Sequence, residues 1–202
     1  MKKIEFILLA GFLFGLTLMS FLIDIGFSIV GFSLSFLSVF YFICSVPFFL
    51  GVPFKKYFTK SAYTGISILR IVGTVGVAYG LSIAPIGLMF KLLLLPGASL
   101  MLGIGIGVQA IMLIIVMSKF IESGDKEFYK RLLIRLIPFL AIGFFFHKTP
   151  TNKQVGFFYR DQPEFVELYN RYYEDPTNEE LAMEVEDAIY EMGEGNDRER
   201  EE

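Results

Sequence analysis

Five apolar runs, each closed by charged, proline or glycine residues, occupy the first three-quarters of the chain. The first covers residues 4–23 and carries one charge near its start, Glu5. Twenty helical residues rise about 30 Å, the thickness of the hydrocarbon layer of a bilayer. The run follows Lys2 and Lys3 as a secretory leader would, but its apolar core is too long and no Ala-x-Ala site follows it. It is therefore expected to persist as a transmembrane helix, with Gly11 and Gly15 at a spacing that permits close packing. The second run, 26–50, places Gly31, Ser35, Ser38 and Ser45 on one stripe, read as a helix-contact face. Pro47, Gly51 and Pro53 end it, and Lys55, Lys56 and Lys60 follow. The third run, 65–90, is interrupted by Pro85 and presents Gly73, Gly76 and Gly80. The fourth, 98–120, has Ser99, Gly103 and Gly107 spaced by four, which predicts a second helix-packing face. After a mixed-charge loop at 119–131 comes a fifth run, 132–146, of 15 residues. That is short for a span, but with Arg135 able to snorkel and His147-Lys148 as a far boundary a short fifth crossing is expected, the alternative being a re-entrant or interfacial helix.

The pattern changes after Thr149. Asp161, Pro163 and Glu164 resemble a helix start, and Phe165, Leu168, Tyr169 and Tyr172 then recur at helical spacing. Thr177-x-x-Glu180 has the form of a capping box, ahead of a second stripe formed by Leu181, Val185, Ala188, Ile189 and Met192. The chain thus reads as all-α: a polytopic transmembrane helical bundle over 1–147, a small soluble acidic αα-hairpin over 148–192, and a disordered acidic end at 193–202. A hairpin of that size has little core of its own and needs a surface to dock on.

Four polar residues fall within or between the runs. Asp24 separates the first two and is read as a turn at the interface, the alternative being an intramembrane carboxylate. Arg70 lies one turn inside the third run and is expected to snorkel to the basic side, the alternative being a pair within the bundle; Arg135 can snorkel likewise. Gln109 is expected to make an interhelical hydrogen bond.

Composition sharpens this division. Apolar residues make up 54% of the 202 and charged residues 19%, and the mean hydropathy is +0.57. Residues 1–147 hold 12 Lys and Arg against 5 Asp and Glu, whereas 148–202 hold 6 against 16. The net charge of −3 therefore hides a basic bundle and an acidic tail that suits neither nucleic acid nor anionic lipid. Lysine and arginine concentrate before the first run, after the second and after the fourth, which predicts those segments on the cytoplasmic side. With five crossings the tail emerges on the periplasmic side; with four it stays in the cytoplasm. Cys44 is the only cysteine and His147 the only histidine, so neither has the companions that a disulfide, thiolate cluster or zinc site requires. Gly103-x-Gly105-x-Gly107 lies inside an apolar run and follows no strand, unlike a dinucleotide fingerprint. Neither a catalytic constellation nor a cofactor or metal site is expected.

Phe90-Lys91, four further residues, then Pro96-Gly97-Ala98 and a glycine-rich helix form a distinctive stretch. It resembles the F-K-x-x-H-W-P-G-A transmembrane hairpin of the GldL family, part of the gliding-motility and type IX secretion motors of Bacteroidetes, and hairpins in small membrane proteins of the same bacteria. The resemblance spans roughly residues 65–120 and implies a hairpin with both ends in the cytoplasm, in agreement with the charge count. Leu94 and Leu95 stand where the family has His-Trp, and Gln109 falls about where the motor subunit has a proton-handling Glu. A neutral amide has no carboxylate proton to release.

The function expected from these features is that of a non-enzymatic inner-membrane subunit. Its partners would be the lipid bilayer and either further copies of itself or another membrane protein. A small transporter or channel using Asp24, Arg70, Gln109 and Arg135 is the alternative.

Overall fold

The computed structural model describes residues 2–122 and 124–198, with no side chain described for Lys2, Phe54 or residues 193–198. All the regular secondary structure of the described residues is helical, without a strand. Eight α-helices follow one another: α1 (Lys2–Ser20), α2 (Ile25–Leu50), α3 (Ile68–Leu92), α4 (Ala98–Glu122), α5 (Lys126–Lys148), α6 (Thr151–Phe158), α7 (Pro163–Glu174) and α8 (Glu179–Arg198). Two 3₁₀ turns, Phe54–Lys56 and Lys60–Tyr63, lie between α2 and α3. The chain divides into two compact units, Met1–Lys148 and Thr149–Glu202.

In the first unit, successive helices pack on one another, and α5 also packs on α3 and α2. Four helices, α1 to α4, are long and apolar enough to cross a bilayer; a fifth is reached only when α5 is counted together with α6. Glycines set the closest approaches. A Cβ at Gly15 would lie 2.9 Å from Val30, and one at Gly26 would lie 2.6 Å from the Met19 nitrogen, so α1 and α2 meet almost backbone to backbone. The α2 stripe faces α3. Ser38 donates to the Ser82 carbonyl at 2.8 Å, Ser35 reaches the Met89 sulfur, and Gly31 adjoins Leu93.

The α3–α4 seam departs from the expected one. Ser99 and Gly107 are exposed, Gly107 has open space where a Cβ would be, and Gly103 has only His147 nearby at 3.6 Å. The buried face of α4 is Leu102, Gly105, Gln109, Met112 and Val116. Gly105 and Gly107 are about 200° apart on a helical wheel at about 100° per residue, so only one of the two can face α3. Gly105 is the one that does, because it meets Ala84 directly and brings the Gln109 amide to a backbone carbonyl. On α3 the receiving groove is Gly76, Gly80, Ala84 and Gly87.

Helix α5 is longer than the expected 132–146 run. It has 23 residues because the charged segment from Lys126 to Arg131 is helical, and Asp125 Oδ1 caps it by accepting the Phe128 N–H at 3.2 Å. The mixed-charge loop shrinks accordingly, α4 running to Glu122 and α5 starting at Lys126. Gly143 of α5 lies against Ile106 and Leu102, and His147 beside Gly103. Since Leu102 and Gly103 sit near the start of α4, α5 runs back along the whole of α4. Helix α3 continues through Pro85 rather than breaking there.

The connection from α3 to α4 is tight. Leu94 takes the left-handed conformation at φ 55°, and the Leu95 N–H bonds the Phe90 carbonyl at 2.9 Å. That six-residue bond is the signature of a Schellman cap, usually built on glycine. Gly97, at φ 76°, then redirects the chain between Pro96 and the first residue of α4, Ala98. Lys91 is buried in the last turn of α3, where a cation complements the exposed carbonyl end of the helix.

The second unit contains three helices where two were expected. Helix α6 packs on α7, and α7 on α8. Phe165, Leu181 and Val185 are buried, and Tyr159 after α6 brings its ring to 5.1 Å from that of Phe165. The cap of α8 is Asn178 and not Thr177. Asn178 Oδ1 accepts the N–H groups of Glu180 and Leu181 at 3.1 and 3.2 Å, while the Thr177 hydroxyl donates to Asp175. Helix α8 extends through the segment expected to be disordered as far as Arg198; the remaining expectation, for 199–202, lies outside the described residues.

Candidate functional site

The most concentrated chemistry joins residues 130 positions apart. Arg135 of α5 holds Glu5 of α1 in a two-pronged ion pair, with Nε 2.5 Å from Oε1 and Nη2 2.6 Å from Oε2. The Tyr41 hydroxyl of α2 donates to Glu5 Oε1 at 2.7 Å, and Arg135 Nη1 donates to the Arg131 carbonyl at 2.8 Å. The Ser45 hydroxyl donates to the Tyr41 carbonyl. Glu5 is 5% exposed and Tyr41 fully buried. The rings of Phe48 and Phe49 flank the guanidinium at 4.9 and 5.5 Å. A planar guanidinium suits this arrangement, since it matches both carboxylate oxygens at once and stacks against aromatic faces.

Arg135 is therefore not a snorkelling residue. Both its charge and most of its donors are used inside the bundle, drawing α1, α2 and α5 together. The sequence offered one signal for this pairing. Glu5 and Arg135 are opposite charges near the starts of runs one and five, and two odd-numbered runs start on the same side of a bundle whose helices alternate in direction. Tyr41, inside the second apolar run, gave no such signal.

Arg70 also has a partner, outside the apolar runs. Its Nη1 lies 2.8 Å from Asp125 Oδ2, and its guanidinium sits 3.8 Å over the Phe128 ring. Burial pushes the Asp125 carboxyl upward, but the Phe128 N–H and the Arg70 guanidinium outweigh it and hold the group below its ordinary range. This contact pins the start of α3 to the start of α5.

Gln109 is fully buried in the α3–α4 seam, and its Nε2 donates to the Gly80 carbonyl at 3.1 Å. Asp24 is exposed in the turn between α1 and α2, as an interfacial turn residue would be. The four polar residues singled out in the sequence thus occupy separate places: Arg135 in the Glu5 cluster, Arg70 at the α5 cap, Gln109 in the glycine seam and Asp24 in a turn. They do not line one path.

Chemically, the Glu5–Arg135–Tyr41 cluster is a closed charge-neutral lock. Glu5 accepts three hydrogen bonds within the protein, leaving little capacity for a ligand or metal. Among the described residues, no group of three or more His, Cys, Asp or Glu is placed to hold a metal ion. Cys44 is half-buried on α2 and His147 is exposed in the last turn of α5. No protein-family model, curated protein or solved structure matches this chain.

Proposed function

We infer that this chain is an integral protein of the bacterial inner membrane that works as a non-enzymatic structural or accessory subunit, through helix–helix and tail contacts. The observation that carries this reading is an inversion of the usual soluble arrangement. Phe6, Phe14, Phe32, Phe36, Leu100, Ile111, Ile114 and Phe145 are exposed along the sides of the first unit, while Glu5, Arg135 and Gln109 are bonded to one another or to backbone inside it. An apolar exterior this extensive requires hydrocarbon or a partner against it. Polar groups in hydrocarbon must be satisfied internally, and the Glu5 carboxylate, the Arg135 guanidinium and the Gln109 Nε2 all have partners inside the unit.

A subunit role accounts for the features that remain. Ser99 and Gly107 of α4 are exposed outside the seam with α3, whereas Gly103 adjoins His147 of α5, so the Ser99/Gly107 edge is available to another helix, and the acidic second unit offers a second surface. The likeness of Phe90–Ala98 to the GldL hairpin fits a component of an envelope machine. Gln109 is engaged with Gly80, which supports a packing role at that position rather than proton transfer.

Replacing Gly107 with Leu tests the reading. The position has open space within the monomer, so detergent-purified variant and parent should melt alike. Crosslinking in native membranes should then show loss of the variant's high-mass species or of its co-purifying partner. Unchanged assembly in the variant would remove the α4 face from the proposal.

A further inference from the structure

We propose that the segment joining α2 to α3 is a binding site for anionic lipid headgroups, with Phe58 inserted among the acyl chains and Lys55, Lys56 and Lys60 around the headgroup. The inference rests on the membrane reading above, and goes beyond it by naming a ligand class and the residues that meet it.

Phe58 is 93% exposed, the most exposed of the large apolar side chains described. In water that exposure is unfavourable, whereas at the edge of a bilayer an aromatic ring has a place to go. The segment is held in shape. Gly51 ends α2 in the left-handed conformation, its N–H bonding the Pro47 carbonyl, and the 3₁₀ turns Phe54–Lys56 and Lys60–Tyr63 follow. The Tyr63 hydroxyl donates to the Tyr57 carbonyl at 2.9 Å, bracing the stretch that presents Phe58, and the Tyr57 and Phe58 rings meet edge to face at 4.7 Å.

Lys55 and Lys56 precede Phe58 by three and two positions, Lys60 follows it by two, and all three are exposed. Among the described residues no carboxylate lies within ion-pair distance of them, whereas Lys119 and Lys130 on the α4–α5 side each have a glutamate three residues away. Three ammonium groups on the same short segment as one exposed aromatic ring suit an anionic headgroup above its hydrocarbon. The segment is tied at both ends to helices long and apolar enough to span, which holds it at headgroup level. A partner protein would have to reach the same depth.

The chain contains no tryptophan, so Phe58→Trp gives a single indole reporter in the full-length protein. The protein is placed in nanodiscs of phosphatidylcholine alone, or of phosphatidylcholine with phosphatidylglycerol. The expected result is a blue-shifted emission and stronger quenching by brominated acyl chains in the anionic discs. The difference should vanish in high salt and in the Lys55→Gln/Lys56→Gln/Lys60→Gln variant. Water-like emission in both compositions, or equal insertion in neutral and anionic discs, would overturn the proposal. The membrane reading fails differently: the protein would then not co-elute with nanodiscs of either composition.

Discussion

Glu5→Leu is expected to destabilise the protein by about 3–5 kcal/mol, the usual cost of leaving one member of a buried ion pair without its counter-charge. The mechanism lies in what remains behind. Arg135 would keep a guanidinium between Phe48 and Phe49 with only the Arg131 carbonyl to satisfy it, and the Tyr41 hydroxyl would lose its acceptor. Arg135→Met should cost a similar amount by stranding the carboxylate. For a chain of this length such a loss lowers the melting temperature in detergent by on the order of 10 °C. The combined variant Glu5→Leu/Arg135→Met/Tyr41→Phe removes every stranded group and should recover most of the loss, since an apolar replacement of a whole buried pair is often neutral. If both single variants melt with the parent protein, the cluster is not a lock.

The second large effect is in the glycine seam. A Cβ at Gly87 would lie 2.5 Å from the Leu102 Cα and 2.6 Å from its nitrogen, and one at Gly105 would lie 2.9 Å from the Ala84 Cα. Those neighbours are backbone atoms, so α3 and α4 must separate to admit even a methyl group. Gly87→Ala and Gly105→Ala should therefore cost more than about 1–3 kcal/mol, the ordinary range for overpacking. Gly76→Ala should cost less, because the nearest atom, at 2.7 Å, is the sulfur of the flexible Met112 side chain. Gly73→Ala meets nothing within 4 Å, and alanine's helix propensity should make it neutral or stabilising by up to about 1 kcal/mol. Thermal melts of the four variants would give this ranking; equal costs at Gly73 and Gly87 would remove the close approach as their cause.

Helix placement was largely legible in the sequence, because long apolar runs with Gly, Pro and Lys at their ends leave few alternatives. The start of α5 was not, because Lys126, Lys130, Arg131 and Glu127 look like a loop until Asp125 is recognised as their cap. The face of α4 was misjudged for a related reason. Glycines occur on both of its sides, and spacing alone does not tell which side has a partner with room for it. Gln109 held the better clue, since a buried amide needs a backbone acceptor and fixes its own face inward. The Glu5–Arg135 pair was hidden by its separation along the chain. Each residue alone reads as an end-of-span charge, and only the packing of α1, α2 and α5 brings both to Tyr41. The third helix of the acidic unit was missed because Thr151–Phe158 is short and only weakly amphipathic.

We propose that α5 crosses alongside α1 to α4, which puts the N-terminus in the cytoplasm and the end of the chain in the periplasm. Its support is geometric: α5 starts at Lys126, just after α4 ends at Glu122, and its Gly143 and His147 lie against Leu102, Gly103 and Ile106 near the start of α4. The direct measurement is a topology map with compartment-sensitive reporters inserted after Lys60, after Gly124 and after Glu202. The account predicts cytoplasmic signals at the first two positions and a periplasmic signal at the third. A cytoplasmic signal after Glu202 would contradict it.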